Sequence, residues 1–306
     1  MSTRSAAQPK SLFIGLGNMG RPMAAQYAPA FPSWVFDIDA SVADDVAEET
    51  GTLALPHLSA LPAGIETVIL MLPNSQIVEN TLRGEDGLFR QLGSGALVID
   101  MSSSQPDSTR ALAAEASACG IHYVDAPVSG GVLKARTGEL SLMVGGSEDA
   151  VEAAMPHLES MAGAIVKAGP SGAGHAAKAL NNLLSATNLA AAAEILCVAQ
   201  ANGIEPETMV DVINSSTSRS QASEVKYPRH ILTGTFDSGF AMDLMIKDMA
   251  IAMDLIRANS IEAPLVSRTS EIAAEARASL DNERPDHTEL ARYVENVNHT
   301  TLRSSR

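Results

Sequence analysis

The sequence predicts an α/β protein, with a doubly wound parallel sheet in its first half and an all-helical second half. Three observations carry that expectation. Short apolar runs alternate with helical patterns as far as about residue 170, and beyond it helical patterns follow one another with no strand between. The 306 residues are 45% apolar but only 4% aromatic, with abundant Ala and 13 Met, which suits helix-rich α/β packing better than a β-sandwich. A GxGxxG run stands at the first strand-to-helix turn.

The strands are read in order at residues 11–15 (SLFIG), 34–37 (WVFD), 67–72 (TVILML), 96–100 (ALVID), 122–125 (HYVD) and 140–145 (LSLMVG). Near-continuous apolar runs of this length belong to strands covered on both faces, as in a parallel sheet. Helical patterns lie between and after them at about 18–29, 41–50, 75–83, 105–118 and 148–162. Right-handed crossovers then build the doubly wound sheet. From 171 to 201 runs one long pattern rich in Ala and Leu, stopped by Gly203 and Pro206, and expected to be buried nearly all round. Helices follow at about 206–214, 219–231, 241–258, 263–279 and 286–296. The domain boundary is placed at KAGPSGAG, giving a sheet domain over 11–170 and a helical domain over 171–306.

The formal net charge of −15 argues against nucleic acid and anionic membrane surfaces as partners. Neither Cys119 nor Cys197 has a CxxC or metal-ligand spacing, and the histidines form no HxxxH or HxH pair, so no metal site is expected. The opening MSTRSAAQPK has no apolar core of a signal peptide, and no apolar run is read as long enough to span a membrane. A soluble protein of a reducing, cytoplasmic compartment is the expectation. No GxSxG loop offers a serine nucleophile.

Gly15-Leu16-Gly17-Asn18-Met19-Gly20 follows a strand and opens a helix, the setting in which GxGxxG binds a dinucleotide. Gly15 makes the tight turn, Gly17 lets a pyrophosphate approach the helix start, and Gly20 permits close helix–strand packing. Asp37 ends the second strand, where a carboxylate accepts from the ribose hydroxyls and repels a 2′-phosphate; a solvated surface Asp is the plainer alternative. No Arg follows in Ile38-Asp39, so NAD is expected over NADP in a Rossmann domain. The loops Met71–Asn74 and Asp100–Ser103 leave the carboxyl ends of strands and should border the cofactor, or serve as ordinary strand-to-helix turns.

Two further stretches bear on chemistry. In D-A-P-V-S-G-G, Ser129, Gly130 and Gly131 follow a strand end, and their bare amides suit an anion, although a Gly pair is also an ordinary turn. Lys178 and Asn182 share one face of the long helix at i and i+4. A lysine desolvated there can act as a general acid/base with Asn182 orienting its partner; the alternative is a lysine snorkelling from the first turn. Lys247, in M-I-K-D-M, is a second cation of the helical half, and its neighbour Asp248 is not expected to pair with it. His175 is a weaker candidate.

Taken together, GLGNMGRPMA (15–24), DAPVSGG with AxxGxL (125–140), GxGxxxKxxNN (172–182) and KD (247–248) resemble the β-hydroxyacid dehydrogenase family, from roughly residue 11 to 296. The resemblance implies NAD-dependent oxidation of a small 3-hydroxy acid, or reduction of the matching semialdehyde. It puts the catalytic lysine at Lys178 with Asn182 beside it, and the substrate carboxylate at Ser129, Gly130 and Gly131. It puts cofactor contacts at Leu72, Pro73, Ser103 and Lys247, and implies a homodimer or homotetramer formed through the helical domain. The stretch NSSTSRS (214–220) departs from the hydroxyisobutyrate enzymes, and Arg219 is a candidate for a second acidic group of the substrate. Two other readings fit the same architecture: an imine reductase-like enzyme, which Lys178 argues against, and a non-catalytic nucleotide-binding module, which the retained lysine and the acidic charge argue against.

Overall fold

The computed structural model describes residues 10–84 and 86–304, and the chain divides into two compact units, the first ending at Lys178 and the second beginning at Ala179. That division falls within a helix, eight residues beyond the boundary after residue 170 expected from the sequence.

The first unit contains β1 (Ser11–Ile14), α1 (Gly20–Tyr27), β2 (Ser33–Phe36), α2 (Ala40–Thr50), β3 (Leu53–Ala54), β4 (Thr67–Leu70), α3 (Ser75–Leu82) and α4 (Leu88–Gln91). It continues through β5 (Leu97–Asp100), α5 (Pro106–Ala118), β6 (His122–Asp125), β7 (Val128–Ser129), α6 (Gly131–Thr137), β8 (Leu140–Gly145), α7 (Glu148–Glu159) and β9 (Ala162–Gly169). The strands lie in the order β3-β2-β1-β4-β5-β6-β8-β7, with β9 on β8. From β3 to β6 every pairing is parallel; Ser11 of β1, for example, is level with Ser33 on one side and Thr67 on the other.

The apolar strands follow from having helices on both faces. Phe13, Ile69 and Ile99 enter one core with Met23 and Tyr27 of α1 and Val46 of α2. Leu12, Val68, Leu70 and Val98 enter the other with Val78 and Leu82 of α3 and Leu112 of α5. Successive residues point to opposite faces, so no position in the run can be polar without facing a core. Each such side chain contributes about 1.5–3 kcal/mol by burial.

Beyond β6 the sheet departs from the expected parallel pattern. β8 runs antiparallel to β6 and β7, and only β9 is parallel to it. The short α6 connection is the reason: a parallel return needs a crossover of about a dozen residues or more, which the segment between Ser129 and Leu140 cannot supply. Three strands were not anticipated from sequence. β3 and β7 are two residues each, and β9 (AGAIVKAG) is a largely exposed edge strand with five of its eight positions Ala or Gly.

α8 (Ala173–Ala201) has 29 residues, about 43 Å long, and runs from the first unit into the second. The expectation of burial all round is not met. Leu180, Leu184, Ile195 and Val198 are exposed, and at 100° per residue they fall on one stripe, while Leu183, Leu189, Ala193 and Leu196 lie in the core of the second unit. Nor does the expectation hold that no segment could span a membrane. By length and composition this helix could, but 56% of its most apolar window is buried within the protein, which accounts for its apolarity.

The second unit adds α9 (Pro206–Ser215), a helix at Ala222–Ile231, α10 (Met242–Ala258), α11 (Pro264–Ser279) and α12 (Leu290–Val297). The helix at Ala222–Ile231 is wound wider, with i to i+5 bonding around Pro228, which has no N–H to donate. Tyr227 fixes it to α8 by donating its hydroxyl to the Leu189 carbonyl at 2.7 Å.

Candidate active site

The glycine loop is shaped as its spacing requires. Gly15 has φ +92°, and a Cβ there would lie 2.3 Å from the Met71 carbonyl oxygen. At Gly20, where α1 begins, a Cβ would lie 1.8 Å from the Gly15 carbonyl oxygen. Around Gly17 a Cβ would find nothing within 4 Å. Two of the three glycines are therefore fixed by close backbone packing, and the third leaves space for a ligand to approach the main chain. Leu16 is buried, Asn18 is exposed and Met19 is half-buried.

Asp37, just beyond β2, is bonded to this loop. Its Oδ2 accepts from the Leu16 N–H at 2.7 Å and its Oδ1 from the Asp39 N–H at 3.0 Å. Each oxygen keeps a lone pair for a further donor. Across the strand ends, the Leu72 N–H donates to Ser102 Oγ at 2.9 Å, joining the loops after β4 and β5. Leu72 and Ser103 are half-buried and Pro73 is exposed. Asn74 caps α3 through its side chain, accepting from the Ile77 N–H at 3.0 Å.

Ser129 ends β7, level with Ser141 of β8, and is half-buried; Gly130 and Gly131 are exposed. Gly130 has φ +124° and Gly131 φ +69°, so both positions need glycine. The turn they form leads into α6.

A fully buried polar cluster beneath these loops was not anticipated. Asp100 and Asp125 are level on neighbouring strands, and both have 0% exposure. Asp125 Oδ1 accepts from the Gly172 N–H at 2.8 Å and Oδ2 from the His175 N–H at 3.0 Å, which satisfies two of the donors at the start of α8. Asp100 accepts from the Ser102 N–H, the Ser104 hydroxyl and the Tyr123 hydroxyl at 3.0, 3.2 and 3.1 Å. Burial, with the Asp100 carboxylate beside it, pushes the Tyr123 phenol well above its usual range. His175 is 1% exposed, with Nδ1 2.7 Å from Thr109 Oγ1 and Nε2 3.1 Å from the Ser102 carbonyl oxygen. It is an anchor of the α8 start rather than a solvent-facing acid or base. Gly174 permits the approach: a Cβ there would lie 2.3 Å from the Met143 carbonyl oxygen. The signal available in the sequence was an acid closing each of two apolar strands, in LVID and HYVD.

Lys178 lies in the second turn of the helix that Asp125 caps, and it is half-buried rather than stripped of water. In the second unit Asn182 is half-buried, and its Nδ2 donates to Asp248 Oδ2 at 2.6 Å. Lys247 Nζ lies 3.7 Å from Asp248 Oδ1, so the adjacent residues do approach, contrary to the divergence expected of i and i+1 on a helix. Arg219 is 63% exposed and sits 3.4 Å from Glu224 in a surface ion pair. Lys226, not singled out from sequence, donates to Ser185 Oγ at 3.2 Å.

Proteins of known sequence and structure share this architecture. The family model for the NAD binding domain of 6-phosphogluconate dehydrogenase matches residues 11–169. That for the NAD-binding region of NADP-dependent 3-hydroxyisobutyrate dehydrogenase matches residues 172–294. The chain is 39% identical to 2-(hydroxymethyl)glutarate dehydrogenase of Eubacterium barkeri over 268 residues, 87% of this chain and 88% of that protein. It is 36% identical to NAD-dependent L-serine dehydrogenase of Pseudomonas aeruginosa over 262 residues, 83% and 88% of the two. The solved structure of Mycobacterium tuberculosis 3-hydroxyisobutyrate dehydrogenase with L-serine superimposes with a TM-score of 0.84 at 34% identity, covering 93% of this chain and 98% of that one. With a nicotinamide-dinucleotide domain of this shape and relatives this similar over nearly its whole length, the chain belongs to the β-hydroxyacid dehydrogenase family.

Proposed function

We propose that the chain is an NAD-dependent dehydrogenase of a small β-hydroxy acid, able to run in reverse on the matching semialdehyde, with Lys178 as its general acid/base. The observation that supports it most directly is the Asp125 clamp. Asp125 opens the DAPVSGG run and holds the first turn of the helix carrying Lys178 through Gly172 and His175. One residue thus ties the proposed carboxylate segment to the proposed proton carrier.

The bare amides of Gly130 and Gly131, with the Ser129 hydroxyl, receive the substrate carboxylate. Lys178 takes the proton of the β-hydroxyl during oxidation and returns it during reduction. Asn182, one turn further along α8, orients the donors around it. The glycine loop fits a dinucleotide, because the space at Gly17 is open where a pyrophosphate would approach. Bound NAD supplies the hydride acceptor. Asp37 retains lone pairs for ribose hydroxyls, and its charge disfavours the 2′-phosphate of NADP. Leu72, Pro73 and Ser103 complete the nicotinamide side.

Absorbance at 340 nm tests this across a panel of β-hydroxy acids and semialdehydes, with NAD(H) and NADP(H) in parallel. Lys178→Ala is expected to lose about 10²–10⁴-fold in kcat while still binding NADH. A variant that turns over like the wild type would remove the role of Lys178, and equal use of NADP would remove that of Asp37.

A further inference from the structure

We infer that Asp248 is a positioning residue: it fixes the Asn182 amide so that its carbonyl oxygen, not its NH2, is presented to the reacting groups. The inference rests on the dehydrogenase reading above, in which Asn182 stands beside the proton carrier.

Asp248 is an expensive residue where it lies. It is 3% exposed on α10, among the buried Met245, Met249, Ile251 and Ala252. Its Oδ2 takes the Asn182 amide at 2.6 Å, but its Oδ1 is buried without a hydrogen-bond donor, the Lys247 ammonium standing 3.7 Å away. A buried carboxylate oxygen left in that state costs stability. A neutral side chain of similar size would pack there without that cost, so packing does not explain the acid.

What the acid supplies is direction. A carboxylate only accepts, so the edge of the Asn182 amide that meets Asp248 must be the NH2. The carbonyl oxygen is then turned away from α10, where the Asn181 side-chain NH2 reaches it at 3.4 Å and leaves its second lone pair for another donor. A terminal amide has two roughly equivalent settings about its last torsion, so without such a partner either edge can face outward. The difference matters to the proposed chemistry. The protonated Lys178 amine, four residues back on the same helix face, and the hydroxyl of a β-hydroxy acid are both hydrogen-bond donors. The carbonyl edge accepts from either one. The NH2 edge would oppose them donor against donor. Asp248 thus selects the setting of Asn182 that the reaction uses, without itself touching the substrate.

The test is a swap of the two side chains, read by kcat and KM on the best β-hydroxy acid substrate. Asn182→Asp alone sets two carboxylates against each other and is expected to lower kcat about 100-fold, as misplacement near a reacting centre does. In Asn182→Asp with Asp248→Asn, the new amide at 248 donates to one oxygen at 182 and leaves the other outward as an acceptor. That double variant should recover about tenfold or more of the lost kcat, a coupling of the size seen between residues in direct contact. Asp248→Asn alone, which can still offer a carbonyl oxygen to Asn182, should lose less than Asn182→Asp. NADH binding should be the same in all four proteins. If the double variant regains melting temperature but stays at the kcat of Asn182→Asp, the pair is only structural and the inference is overturned. A wild-type protein inactive on every β-hydroxy acid would instead overturn the dehydrogenase reading, and this inference with it.

Discussion

Replacing Asp125 by Asn probes the link between the sheet and the helix that carries Lys178. The substitution keeps the shape of the side chain and changes one oxygen to NH2. Asp125 accepts two main-chain N–H groups, from Gly172 and His175, one on each oxygen. Whichever way the new amide turns, one of those two N–H groups meets another donor. The loss is therefore one buried hydrogen bond with its donor left unsatisfied, about 1–3 kcal/mol. At about 2–4 °C per kcal/mol for a unit of this size, the melting transition should fall by about 2–12 °C. Calorimetry measures that fall, and 340 nm assays should show kcat reduced with the KM for NAD little changed, because the glycine loop is untouched. A variant that melts within about 1 °C of the wild type, below the smallest fall expected, would show that the clamp holds nothing.

Two further outcomes follow from the first unit. Gly20→Ala would put a Cβ 1.8 Å from the Gly15 carbonyl oxygen, so the loop must open to accommodate it; NADH affinity measured by fluorescence titration should fall at least about tenfold, equivalent to 1.4 kcal/mol, and unchanged affinity would refute the role of that contact. The pH dependence of stability is the other. Burial pushes the His157 imidazole below its ordinary value, so its stability contribution is full above about pH 6.5 and is lost as the pH falls toward the folded-state value. Melting temperature should therefore drop between pH 7.5 and 5.5, with a slope from this group of at most about 1.4 kcal/mol per pH unit; His157→Gln should flatten it, and an equal slope in the variant would count against the assignment. In the second unit, burial also lowers the His287 imidazole although Asp286 opposes it, which gives the same sign. For Asp286, burial acts upward, but hydrogen bonds from His287 and Thr288 outweigh it and hold the carboxyl well below the usual range, so its contribution is lost only as the pH falls below about 4.

The parts of this architecture legible in the sequence were those with a repeating physical cause. Strands covered on both faces must be apolar throughout, and 11–15, 67–72 and 96–100 read as such. Glycine positions 15 and 20 were legible because backbone packing forbids a side chain there. The remaining elements have no such pattern. β9 is exposed along most of its length and so carries no alternation, and α6 is too short to show a period. The exposed stripe of α8 is not legible because Leu and Ala are the same letters whether they face a core or solvent. Within the site, the importance of Asp125 and His175 depends on bonds across 47 and 50 residues. The Asn182–Asp248 contact spans 66. Spacing along a helix cannot reveal partners at that separation. The surface pairing of Arg219 with Glu224, five residues on, is likewise invisible to a reading of the run NSSTSRS alone.

The two aspartates that close β5 and β6 also bear on where this chain can be cut. They are neighbours in a parallel ladder, and the amides that neutralise one of them arrive only with Gly172 and His175. A nucleotide-binding fragment ended at the obvious turn near residue 170 would leave adjacent acids in the interior with both donors of Asp125 missing. Extending it by a single helical turn brings those donors along, so the smallest self-sufficient piece of the sheet includes the beginning of what looks, in the sequence, like the next domain.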